Sequence, residues 1–103
     1  MDIGPPATPQ AAAPDIQITG AIAHHMHWGA RAIDDLWVWS VTANVRDYPG
    51  LYCARPGSIN RNAILPFVLL AGTLDGIRDQ LPLGLVRMDR AEGDDPVVVE
   101  AWL

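Results

Sequence analysis

The 103-residue chain contains no lysine and a single cysteine, Cys53. One thiol closes no intramolecular disulfide, which removes the staple framework of small secreted domains. Basic charge is scarce too: seven Arg stand against twelve acids, for a net charge of −5. Phosphate neutralisation needs clustered positive charge, so this balance argues against nucleic-acid binding. Only two serines are present, Ser40 and Ser58, and neither sits in a Gly-x-Ser-x-Gly elbow. Long apolar runs are missing. The longest, Ile64 to Gly72, has nine residues, about half of the ~20 that a membrane-crossing helix needs. The opening Met-Asp-Ile-Gly-Pro-Pro carries acid where a signal peptide needs positive charge. Together these absences lead to the expectation of a cytoplasmic protein with no membrane contact.

Half of the residues are hydrophobic, enough for one core in a chain of this size. Residues 1–14 hold Pro5, Pro6, Pro9 and Pro14 among Ala, Gly, Thr and Gln. Such a segment cannot bury enough to offset its ordering entropy, so a disordered Pro/Ala-rich tail is expected there. A single α+β domain is expected over 15–103.

The clearest element is Leu36–Arg46, where Trp37, Trp39, Val41, Ala43 and Val45 alternate with Ser40, Thr42, Asn44 and Arg46. That is a half-buried antiparallel strand. Asp47-Tyr48-Pro49-Gly50 makes a turn, and Leu51–Arg55 returns as the second arm of a hairpin, which Pro56 ends. After a polar loop, Ile64–Ala71 is a further strand, with Pro66 at its edge or ahead of its ladder. Thr73 is an N-cap for a short helix over about 73–81 whose Leu74, Ile77 and Leu81 share one face. Asp94-Asp95-Pro96 reads as a turn before a last strand at 97–103, with a shorter strand at Leu85–Met88. The fold class is therefore a small, mostly antiparallel sheet of four to five strands with one short helix on one face.

Residues 21–35 carry two competing patterns. Ile16, Ile18, Ile22, Met26 and Trp28 fall on even positions, the period of a strand. Ile22, Met26, Ile33 and Trp37 also follow helical spacing. Gly29 mid-segment, and Asp34-Asp35 where the macrodipole disfavours acid, tip the reading towards a strand.

This choice controls the functional argument. Four strands at ~4.8 Å spacing span about 19 Å, whereas the one expected helix is only ~12 Å long and ~10 Å across. Trp37, Trp39 and Trp102 would each bury roughly 200 Å² if covered. With a strand at 21–35 the sheet lacks cover, and a protein partner or a second copy in a homodimer must supply it. A helix there closes the core.

No catalytic motif stands out, and the expectation is a non-enzymatic protein-interaction module: an adaptor, inhibitor or assembly subunit. Residues 48–74 contain Arg55 and Arg61 and no acid, while the flanking segments are acidic. The loop 55–62 therefore supplies the partner-contact candidates Arg55, Ser58, Asn60 and Arg61, with Trp28 as an aromatic anchor. The alternative is a metal-dependent enzyme or metal-binding protein using the His24–His27 cluster. On a strand, His25 and His27 point the same way, a spacing that suits two zinc ligands. A third ligand is not evident, so no cofactor is predicted. Cys53 reads as a buried structural thiol.

Overall fold

The computed structural model describes residues 15–90, 93 and 97–103. The expected tail at 1–14 and the turn at Asp94-Asp95-Pro96 lie outside the described residues. Seven strands form one mixed sheet: β1 (Ile16–Gln17), β2 (Trp37–Ala43), β3 (Tyr52–Ser58), β4 (Ala63–Ile64), β5 (Phe67–Ala71), β6 (Arg87–Asp89) and β7 (Val98–Trp102). The spatial order is β1-β5-β3-β2-β7-β6, with β4 alongside β3. Among the described residues only the β1–β5 pair is parallel. The helices are α1 (Gly20–Ala32) and α2 (Leu74–Gln80). The architecture is α+β as expected, with more strands and a second helix.

That second helix overturns the strand reading at 21–35. Thr19 caps α1, its Oγ1 accepting from the Ile22 amide at 3.2 Å. Ala23, His27 and Ala30, spaced i, i+4, i+7, form the buried stripe. The two acids that counted against a helix stand beyond its end. Asp34 adopts φ +62, its amide donates to Arg31 O at 3.0 Å, and the Asp35 amide donates to Ala30 O at 2.9 Å. This is a Schellman closure with Asp in the place that Gly usually takes. The period-2 signal came from side chains that do not share a burial role: Ile18 is 8 % exposed, whereas Ile22 is 46 % and Trp28 37 %.

Both helices lie on the same face of the sheet. Ala23 and Ala30 of α1, Ile77 of α2 and Leu81, which caps α2, join Trp37, Trp39, Val41, Ala54 and Leu69 in one core. The Thr73 cap of α2 is as expected, its Oγ1 accepting from the Gly76 amide at 3.0 Å. Where α1 starts, the helices nearly touch. A Cβ on Gly20 would sit 3.0 Å from Gln80 O and 3.1 Å from Gln80 Cα, whereas one on Gly29 would meet nothing within 4 Å. Gly20→Ala should therefore lower thermal stability, because backbone must shift to admit the methyl. Gly29→Ala should raise it by about 0.5–1 kcal/mol, through helix propensity alone. Two melting curves of opposite displacement check both; a Gly20→Ala protein that melts with or above the parent contradicts the close approach.

The hairpin departs from expectation at Pro56, which does not end its strand but lies inside β3, opposite Trp39. Pro56 O accepts from the Leu65 amide at 3.0 Å. In a strand, a residue's C=O and N–H positions face the same side, so the missing donor of Pro56 faces the junction between β4 and β5. No ladder partner is required there, and proline is tolerated.

Candidate functional site

With both helices on one face, no described helix covers the other. That face is built from the even positions of β2 and their neighbours. The register sets Val38 opposite Gly57, Ser40 opposite Arg55, and Thr42 opposite both Cys53 and Val98, with a bulge between Val41 and Thr42 on the β7 side. Here the surface folds into a cleft of about 650 Å³, lined chiefly by Val38, Ser40, Thr42, Arg55, Ile64 and Val98. Gly57, which carries no side chain, also lines it. Ile64 is 80 % exposed and Ile59 52 %, so the rim presents branched apolar groups to water. No carboxylate is among the described lining residues.

One side of the cleft is held by a three-residue polar cluster. Arg55 donates to Asp15 Oδ1, and the Tyr48 hydroxyl donates to Asp15 Oδ2 at 2.9 Å. The Arg55 guanidinium also lies 5.8 Å from the centre of the Tyr48 ring. The hydrogen bond from Arg55 holds the Asp15 carboxyl below the ordinary carboxylate range, and burial pushes the Tyr48 phenol up. Arg55 is thereby fixed in orientation, its side chain one-quarter exposed.

The remaining loop candidates make a second cluster that fastens the α1–β2 link to the β3–β4 turn. The buried Ser58 donates its hydroxyl to Asp35 Oδ1. Asp35 Oδ2 accepts from Trp37 Nε1 and from Arg61 Nη2, each at 3.0 Å. Asn60 Oδ1 accepts from the Leu36 amide at 2.9 Å, and its Nδ2 donates to Asp34 O at 3.0 Å. Hydrogen bonding from Ser58 is the main reason the Asp35 carboxyl lies below its usual range. These side chains hold the loop's shape, and Arg61 still presents 61 % of its side chain to water.

Trp28 lies apart from this loop, on the outer side of α1, where its Nε1 donates to Leu83 O at 3.1 Å. His24 Nδ1 accepts from the Leu83 amide at 3.2 Å. The strand geometry supposed for His25 and His27 is replaced by a helix, where i and i+2 diverge by about 200°. His25 is exposed and His27 buried. Among the described residues no three His, Cys, Asp or Glu side chains gather to hold a metal ion. His27 Nδ1 instead accepts from Trp39 Nε1 at 3.0 Å, which places its proton on Nε2. That atom is buried without a hydrogen-bond partner, and the ring stands edge-on to Trp28 at 4.8 Å. Burial lowers the His27 pKa, and burial raises that of Cys53.

The cleft residues Val38, Ser40, Thr42, Ile64 and Val98 were missed from sequence because the even positions of β2 read as a solvated row. Val38, the apolar member of that row, was the available signal. Comparison with protein-family models, with curated proteins and with solved structures gives no match. Fold and site define an α+β protein with one helix-covered face and one cleft-bearing face, and no helix of the described residues is long and apolar enough to cross a membrane.

Proposed function

We propose that the protein is a non-enzymatic interaction module whose cleft-bearing sheet face receives an apolar segment of a protein partner. The observation that carries this reading is a cleft of about 650 Å³ with branched apolar walls on the face that neither helix covers. Its size lies within the range of about 300–1,000 Å³ typical of binding pockets. Arg55, already paired with Asp15, stands beside those walls with Asn62 and Ser40, and no acid is among the described lining residues. The complementary segment is an apolar anchor flanked by carboxylates or free carbonyls. α1 covers the helix-side face of the sheet, so the apolar surface left open to a partner lies on the opposite face.

Panning a displayed random-peptide library against the protein tests this. Enriched peptides should share an apolar residue beside an acidic one, and their binding should perturb the amide resonances of Val38, Ser40, Ile64 and Val98. Ile64→Arg should abolish that binding while leaving the melting temperature within a few degrees. Peptides that bind equally well to Ile64→Arg, or a panning that enriches none, would reject the reading.

A further inference from the structure

Among the described residues the strand order leaves one outer edge at β6, which meets only β7, in the register Arg87↔Trp102, Met88↔Ala101, Asp89↔Glu100. Val86 and Leu103 exchange both backbone hydrogen bonds, at 2.9 and 3.0 Å. Exchanging pairs alternate with non-bonded ones along an antiparallel ladder. Val86 and Met88 therefore aim their backbone groups at β7, and Arg87 and Asp89 aim theirs outward. The side chains of Arg87 and Asp89 are 50 % and 92 % exposed and carry opposite charges two residues apart, 3.9 Å from each other.

Charges on an edge strand ordinarily discourage pairing. Their alternation here makes them selective. When a second copy of β6 runs antiparallel and is centred on Met88, Arg87 stands opposite the partner's Asp89, and Asp89 opposite the partner's Arg87. All four of these residues point their backbone groups across the junction, so the two pairs exchange hydrogen bonds. A shift of one residue sets an outward-facing residue against an inward-facing one and loses those bonds. Recentring the pairing on Arg87 puts Arg against Arg, and recentring it on Asp89 puts Asp against Asp. One register satisfies both backbone and charge. In it Met88, 41 % exposed, meets its own counterpart, and Val86, 68 % exposed, lies one step along on the same face.

We propose that the protein self-associates by this antiparallel β6–β6 pairing, giving a two-fold dimer whose sheet runs continuously through both copies. The inference does not rest on the cleft, which lies on the other side of β7. The edge is short, so the dimer is a weak, reversible one.

Sedimentation equilibrium over a concentration series provides the test. The wild-type chain should show a monomer–dimer equilibrium. Asp89→Arg and Arg87→Asp should each weaken it by at least about tenfold, because each sets like charges opposite one another twice. The double exchange, Arg87→Asp with Asp89→Arg, should restore it. An equimolar mixture of the two single variants should form a heterodimer, visible by native mass spectrometry. A wild-type chain that stays monomeric up to about 1 mM overturns the proposal, as do single reversals without effect. A double exchange that folds, judged by its circular dichroism, yet does not dimerise overturns the register.

Discussion

Arg78→Met is expected to lower the melting temperature by more than about 10 °C at neutral pH. Glu100 on β7 is 4 % exposed, on the helix-covered face, where an isolated carboxylate is costly. Its Oε1 accepts from Arg78 Nη2 at 2.7 Å, and its Oε2 accepts from Arg78 Nε at 3.0 Å and Trp102 Nε1 at 2.7 Å. Removing the guanidinium leaves a buried charge with the indole and a long ion pair to Arg87, whose Nη1 is 4.0 Å from Oε1. The hydrogen bonds from Arg78 hold Glu100 below its ordinary pKa. Its contribution is thus present above about pH 4.3, the ordinary value, and is lost as pH falls through the lowered folded value. In the variant, burial opposes ionisation without that counterweight. The stability gap between the two proteins should therefore narrow as pH falls from 6 to 3. A gap of constant size would mean that Arg78 acts through packing alone. Arg78→Met combined with Glu100→Leu should recover much of the loss, since neither charge then remains to be desolvated.

Trp39→Ala is expected to cost about 3–5 kcal/mol, a large share of the ~5–15 kcal/mol that holds a domain together. The indole is 0 % exposed, and its Nε1 donates to His27 Nδ1 beneath α1. Trp39→Phe separates the two roles by retaining an aromatic ring while deleting the donor. His27 makes the wild-type protein sensitive to mild acid. Burial lowers its folded pKa below the ordinary ~6.5. Stability is therefore full above that value and declines as pH falls from it through the folded value, because the unfolded chain takes up the proton first. Protonating Nδ1 also sets two donors against each other. Melting temperatures measured between pH 7.5 and 5 should fall for wild type, fall less for Trp39→Phe, and lose the part of the decline due to this residue in His27→Leu. Equal declines in all three proteins would place the sensitivity elsewhere.

The candidate site was half visible from the residues alone. The acid-free stretch around Arg55 drew attention to residues of which Arg55 and Ser58 line the cleft. Ser58, Asn60 and Arg61 are bonded to Asp34, Asp35 and Leu36, more than twenty residues away. A partner at that separation leaves no periodic trace in the sequence. The walls of the cleft come from β2, β4 and β7, whose adjacency is a matter of strand order.

By itself the sequence determined the elements whose signals are local. The apolar–polar alternation of β2, the turn at Asp47-Tyr48-Pro49-Gly50, the ladder that starts after Pro66 and the Thr73 cap each depend on residues within one turn or one strand. Tertiary structure alone decided the state of residues 20–32 and the place of Pro56. At 20–32 the two periods compete, and the outcome rests on whether Ala23, His27 and Ala30 find Trp39 and its neighbours to cover. At Pro56 the question is which side of β3 needs a donor, and the answer lies in where β4 hands over to β5. Both depend on contacts between segments distant in sequence, and no local pattern encodes those.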